Sequence, residues 1–248
     1  MRSIITLITD FGTADGYVGE MKGVLLSRAP DATIVDITHD ICPQDIATAR
    51  LTVARVWRRF PPYSVHLVVV DPGVGSSRNA LAVESDTRFL VGPDNGVLSP
   101  ALLIGGSRTV SLPIASNAAP TFHGRDVFAP AAAALATGTP LSDLGIEVAS
   151  PVIQRTPGPT RLGPGVLAGE VIAVDRFGNA ITNLTGLHGG AVDVNGTELP
   201  VRRVYADVQL GAPLALVGST GLIEIAVRDG SARELLGIQR GTRVVLRY

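Results

Sequence analysis

The chain of 248 residues has a single cysteine, Cys42. No intrachain disulfide can form, and neither a thiolate zinc cluster nor a CxxC redox motif is available, which fits a reducing cytoplasm. An excess of either charge is also missing: 21 basic residues stand against 22 acidic ones, a formal net charge of -1. That balance lacks the footprint of a protein that binds nucleic acid or an anionic membrane. Long apolar runs are absent as well. The run at 4–8 soon meets Asp10, too short for a signal sequence and far short of a membrane span. His39, His66, His123 and His188 are scattered without HxH or HExxH spacing, so no metal site is expected. There is no internal repeat and no low-complexity tract.

What is present is ample apolar content, 46% of residues, enough for one large core or two modest ones. The first part alternates short β-rich runs with helical patterns: strands over 3–9, 33–37 and 65–70, helices over 17–28 and 45–60. Such alternation predicts an α/β domain with a mainly parallel central sheet. In the second helix Ile46, Ala49, Val53, Val56, Trp57 and Phe60 recur at helical spacing, and Pro61-Pro62 ends it. Asp10 and Asp71 each follow a predicted strand. If those strands are neighbours, both carboxylates face one crevice at the strand ends. From Pro151 to Gly165 prolines and glycines are dense. We therefore expect an N-terminal domain over 1–155, a linker without regular structure over 156–165, and a smaller all-β, barrel-like domain over 166–248. Asn195-Gly196 is a hairpin signal in that last part.

Polar, glycine-bearing clusters interrupt this pattern: TDFGTADGYVGEMKG from Thr9, DPGVGSSR from Asp71, GPDNG from Gly92, FHGRDVFAP from Phe122 and DRFGNAITN from Asp175. Each alone reads more readily as a turn or a helix cap than as a functional site. The Asp71 cluster lacks the GKS or GKT ending of a Walker loop and the GxGxxG spacing, and its leading carboxylate would repel phosphate. Asp71 and Arg78 can meet across the glycine turn, either to hold the carboxylate oriented or as a structural salt bridge. His66 lies inside an apolar strand and reads as a packed residue. His123, in a polar loop before an alanine-rich helix, can handle protons near neutral pH.

Taken together and in order, TDFGxxDxYVGxMKG, DPGVGxxR, PDNG, TFHGRD, FGNxxTN and GSxGxxEIA resemble the S-adenosylmethionine hydroxide adenosyltransferase family, which is related to the fluorinase and chlorinase enzymes. The resemblance covers essentially the whole chain. It implies an α/β domain joined to a β-barrel, and a homotrimer whose substrate lies between one subunit's N-terminal domain and its neighbour's C-terminal domain. It further implies hydrolysis of S-adenosyl-L-methionine to adenosine and L-methionine, with no metal or other cofactor and no nucleic-acid or membrane partner. The resemblance gives Asp71, Arg78 and His123 the catalytic triad. For substrate binding it implies Asp10 on the ribose hydroxyls, Asp15 on the methionine ammonium, and Asp175 and Ser219 at the methionine end. Asn179 would read the adenine, Phe177 and Tyr205 would pack against its ring, and Glu224 would touch methionine or adenosine. DRFGN is one residue shorter than the fluorinase segment.

Two other activities share such a pocket: a halide-using 5′-halogenase, and a sensor that binds S-adenosylmethionine or adenosine without turnover. The halogenases carry an aromatic residue where this chain has Asp71, and the fluorinase a serine where it has Gly124. Water, unlike a halide ion, benefits from a group that orients it and accepts its proton. Both differences therefore favour hydrolysis. Which triad member takes the proton is open at the level of sequence.

Overall fold

The computed structural model describes residues 3–186 and 189–248, so His188 lies outside the described residues. The chain forms two compact units, Met1–Arg155 and Thr156–Tyr248. In the first, the elements run β1 (Ile4–Thr9), α1 (Tyr17–Arg28), β2 (Thr33–Thr38), α2 (Ile46–Val56), β3 (Val65–Val69), β4 (Ala80–Ser85) and β5 (Arg88–Pro93). They continue through α3 (Ser99–Leu102), β6 (Arg108–Ser111), α4 (Ala129–Ala136) and β7 (Ile146–Glu147). The seven strands make one sheet in the order β2-β1-β3-β5-β4-β6-β7.

Alternation of side chains across the pleat builds a core on each face. Val65, Leu67, Val69, Ala80 and Ala82 join Met21 and Leu25 of α1 and the alanines of α4. Val68, Val70, Leu81 and Val83 join Ala49 and Val53 of α2, with Trp57 just beyond it, and α3. Asp45 caps α2 by accepting from the Thr48 amide at 3.0 Å. The helix ends at Val56, and Trp57–Arg59 form a 3-10 turn before the paired prolines.

The expectation of a mainly parallel sheet is corrected. β2, β1, β3 and β5 are parallel, but β4 pairs antiparallel with β5 and β6, and β6 with β7. Only Asp86 and Thr87 separate β4 from β5, far too few residues for the crossover that parallel strands need. Both have positive φ, 46° and 61°, the backbone of a tight hairpin turn. With no glycine in that pair, the sequence carries no obvious hairpin signal.

His66 is 1% exposed within β3, beside its register partner Thr6, whose hydroxyl lies 2.8 Å from Nδ1. Burial first, then the nearby Arg88 cation, pushes its pKa from 6.5 down to about 4. The folded protein thus holds His66 neutral where the unfolded chain protonates it. The contribution of His66 to stability is fully present above pH 6.5, is lost as pH falls through the window to about 4, and changes no further below it. The gap is worth roughly 3 kcal/mol. Urea midpoints between pH 7 and 4.5 should show this slope, and His66→Asn should flatten it; an unchanged slope in the variant would remove His66 as its source.

The second unit contains β8 (Thr160–Gly163), β9 (Val166–Val174), β10 (Ala180–Thr185), β11 (Ala191–Val194), β12 (Thr197–Arg202), β13 (Pro213–Val217), β14 (Leu222–Val227), α5 (Ala232–Leu236) and β15 (Arg243–Arg247). Pairing runs β10-β14-β13-β12-β11-β15-β9 and closes through β9 and β10, a barrel of seven strands with β8 added on β9. β12 and β13 pair in parallel, unlike the antiparallel neighbours around them. Asn195 and Gly196 take positive φ in the turn between β11 and β12. The 156–165 segment expected to lack regular structure carries β8, because Thr160, Arg161 and Gly163 pair with β9. Val201 lies on β12, and Tyr205 begins a 3-10 turn just after that strand. Among the described residues no helix is long and apolar enough to cross a membrane.

Candidate active site

β1 and β3 are parallel neighbours, while β2 lies on the far side of β1. The chain leaves β1 in one direction for β2 and returns past it to β3. That reversal opens a crevice at the carboxyl ends of β1 and β3, the usual ligand position in open α/β sheets. Asp10 follows β1 directly and Asp71 lies just past β3, so the two carboxylates head adjacent strands.

After Asp71 the loop folds back on itself. The Val74 amide donates to the Asp71 carbonyl at 3.2 Å, and Ser76 donates through its amide and its hydroxyl to the Gly73 carbonyl. Gly75 has φ +77°, and a Cβ there would lie 2.6 Å from the Pro120 carbonyl oxygen. Glycine is therefore required twice over, for backbone conformation and for contact with the segment that leads to His123. This return brings Arg78 onto Asp71. Its Nε donates to Oδ1 at 2.9 Å and its Nη2 donates to Oδ2, the bidentate fit of guanidinium to carboxylate. Both side chains are buried, at 9% and 5% exposure.

Nη2 also lies 2.9 Å from His123 Nδ1. Arginine has no acceptor, so Nδ1 must present its lone pair and the neutral ring carries its proton on Nε2. Burial lowers the His123 pKa, and the Arg78 charge lowers it further against opposing pulls from Asp71 and Asp126. Nη1 donates to the Asn79 carbonyl at 3.2 Å, and the guanidinium stands over the Phe128 ring at 5.3 Å. Arg78 is thus fixed on every side.

His123 immediately precedes a π-type turn, Gly124–Phe128, that leads into α4. Pro130 has no N–H for the carbonyl four residues back, and a wider turn accommodates it. A Cβ on Gly124 would come within 3.2 Å of Met21 Sδ and Phe122 Cε2, so the backbone is packed there around a bare Cα. Arg125 binds both oxygens of Asp126 and reaches Glu20 on α1 at 2.7 Å, tying the turn to that helix. Its hydrogen bonds hold the Asp126 carboxyl below the usual range. Beneath lie Phe11, Tyr17 and Phe122, packed edge-on or tilted with centroids 5.3 to 5.9 Å apart. Asp10 Oδ2 accepts from the Gln44 amide at 2.8 Å. Asp15 is exposed in the turn before α1.

The remaining predicted residues belong to the barrel unit. Asp175 organises its own loop: Oδ1 accepts from the Phe177 and Asn179 amides, both at 2.9 Å, and Oδ2 from Asn179 Nδ2 at 3.0 Å. Asn179 is buried, whereas Phe177 is 77% exposed. Gly178 has φ +83° against Ser231, leaving no room for a side chain. Burial, Glu224 and Asp175 together raise the Tyr205 pKa, which groups these three residues electrostatically. Ser219 is exposed in the turn before β14.

Residues 5–145 match the SAM hydroxide adenosyltransferase N-terminal domain, and residues 169–245 match the C-terminal domain of the same name. The chain belongs to the SAM hydroxide adenosyltransferase family. It is 44% identical to the (R)-S-adenosyl-L-methionine hydrolase of Thermus thermophilus, with 98% of each chain covered. Identity to the hydrolase of the same name from Salinispora tropica is 39%, over 97% of this chain and 96% of the relative. A fluorinase from Actinoplanes is more distant, at 27% over 90% of each. Among solved structures, an uncharacterized conserved protein from Thermotoga maritima superposes with a TM-score of 0.89 at 33% identity, each chain fully covered.

Within this family member, several supporting residues escaped the reading of the sequence. Asn95 of the PDNG motif donates from Nδ2 to the Val70 carbonyl at 2.9 Å, fixing the backbone just before Asp71. Asp94 accepts from Asn79, next to Arg78, and from the Val152 amide. The glycine beside them flagged only a turn. Phe128, the floor under Arg78, is hidden in a stretch that reads as helix entrance. Among the described residues no group of three or more His, Cys, Asp or Glu is arranged to hold a metal ion.

Proposed function

We propose that the protein hydrolyses S-adenosyl-L-methionine to adenosine and L-methionine by in-line attack of water on ribose C5′. The observation that carries this reading is the buried Asp71–Arg78–His123 network, in which one guanidinium fixes a carboxylate and an imidazole side by side. The two near-full-length hydrolase relatives support it.

In the proposed step the water oxygen forms a bond to C5′ as the C5′–S bond breaks, and the bonding pair leaves with sulfur. Methionine departs as a neutral thioether, and the oxygen sheds one proton. The sulfonium charge already activates the leaving group, so the chemistry calls for no metal or redox cofactor. Because His123 carries its proton on Nε2 and gives Nδ1 to Arg78, the ring serves as a donor that orients the water oxygen. Asp71 accepts the proton. Positioning and exclusion of bulk solvent supply most of the remaining rate.

Asp10 takes the ribose diol and Asp15 the methionine ammonium in this reading. Asp175, Ser219 and Glu224 serve the methionine end, with Asn179, Phe177 and Tyr205 around the adenine. We read the assembly as a homotrimer with the site shared between subunits. The family resemblance supports this, as does the exposure of Phe177 and Tyr205, 77% and 42%, which leaves both rings free to meet ligand or neighbour. Cytoplasmic residence is our reading of the lone Cys42.

Turnover of S-adenosylmethionine in oxygen-18 water, with and without chloride and fluoride, tests the proposal by mass spectrometry of the products. Heavy oxygen in adenosine with equimolar methionine is expected. A halo-nucleoside would overturn it in favour of halogenation, and substrate bound but unchanged would make the protein a sensor.

A further inference from the structure

The segment that follows β2 grips the Asp10 loop from three sides. His39 is buried at 5% exposure, and its Nδ1 lies 2.8 Å from the hydroxyl of Thr9, which is fully buried. The His39 carbonyl accepts from the Gly12 amide at 2.8 Å. Gln44 then donates its amide to Asp10 Oδ2, from a backbone with φ 69° that a non-glycine residue adopts at a cost. Thr9 and Gly12 bracket Asp10 in sequence, so the backbone on both sides of the carboxylate is tied to one histidine.

A register shift makes this possible. Leu7 pairs with Asp36 but Ile8 pairs with Thr38, so β2 carries one extra residue where β1 ends. Such bulges re-aim side chains beside functional sites. Without it Thr38 would stand where His39 now faces Thr9.

Thr9 Oγ1 also accepts from the Phe11 amide at 3.3 Å. On the other side of the ring, His39 Nε2 makes an oblique contact with Asp36 Oδ1 at 3.1 Å. Asp36 is held in turn by Lys22 of α1 at 2.6 Å. Nothing in the proposed chemistry uses His39, and among the described residues no metal-ligand set surrounds it. We propose that His39 is a positioning residue for Asp10: through its ring contact with Thr9 it sets the carboxylate's aim at the ribose hydroxyls. The inference rests on the ribose role given to Asp10 above.

The test is binding of adenosine and 2′-deoxyadenosine by calorimetry, which needs no turnover, together with steady-state kinetics on S-adenosylmethionine. The wild type is expected to prefer adenosine by about tenfold or more, the scale of a hydrogen bond to a charged group. Asp10→Asn and His39→Leu should both abolish that preference, and each should raise KM by about tenfold while kcat changes far less. His39→Asn, which keeps a polar group at the Nδ1 position, should restore most of it. In the Asp10→Asn background, His39→Leu should add little. Thr9→Val deletes only the hydroxyl and should reproduce His39→Leu if that variant does not fold.

Preference for adenosine retained in both His39→Leu and Thr9→Val overturns the proposal, as does an additive effect in the Asp10→Asn background. A wild type without any preference removes the ribose role of Asp10 and the positioning role with it. Failure to hydrolyse S-adenosylmethionine, with the preference and its loss as expected, would overturn only the hydrolase reading.

Discussion

Asp71→Asn is expected to lower kcat for S-adenosylmethionine hydrolysis by about 10²- to 10⁴-fold, the range of a lost general base. Asparagine matches the carboxylate in shape but cannot take a proton from water. Its carbonyl oxygen can still accept from Arg78 Nε, while its amide nitrogen would face Arg78 Nη2, donor against donor. The Arg78–His123 contact is left in place, so the imidazole keeps its orientation and the loss falls on proton removal. Substrate affinity, carried by other residues in this reading, should move far less. Single-turnover rates and calorimetric binding of S-adenosylmethionine separate the two. A folded variant with kcat within tenfold of wild type would remove Asp71 as the base, and a loss seen wholly in binding would recast it as a substrate ligand.

Much of the N-terminal scaffold was legible because its signals are local. Helical spacing from Ile46, the prolines after Phe60 and the apolar run into Asp71 each report their own surroundings, and the structure has helix, stop and strand at those places. The antiparallel half of the sheet was not legible, since Asp86-Thr87 turns a hairpin on positive φ without the glycine that flags one. β8 was missed for a related reason: its backbone is ordered by pairing with β9, which overrides a composition rich in proline and glycine. At the site, the order of motifs pointed to Asp71, Arg78 and His123, and the fold shows how those motifs meet. Gly75 must pass the Pro120 carbonyl for the Asp71 loop to meet the His123 loop, and Asn95 must hold the Val70 carbonyl for the strand end to stay fixed. Neither contact is local, so neither could be read from its own segment. The tautomer of His123 likewise became readable only once Arg78 was seen against Nδ1.

Arg78→Met should cost about 3–5 kcal/mol of stability, the usual penalty for leaving a buried charge without its partner. Methionine can fill the space over Phe128 with a favourable sulfur–ring contact, so packing is largely kept. What is lost is the bidentate partner of Asp71, whose side chain is only 5% exposed, and the donor that fixes His123 Nδ1. Activity should fall at least as far as in Asp71→Asn, because carboxylate and imidazole both lose their alignment. If the unpaired carboxylate is the cause, adding Asp71→Asn to Arg78→Met should recover much of the stability while restoring no activity, since removing both charges costs less than stranding one. Urea unfolding of the wild type, both single variants and the double variant closes the cycle. A double variant no more stable than Arg78→Met would place the loss in packing against Phe128, and Arg78→Met within about 1 kcal/mol of wild type would mean that Asp71 finds water, so that the network aligns the site without holding the fold together.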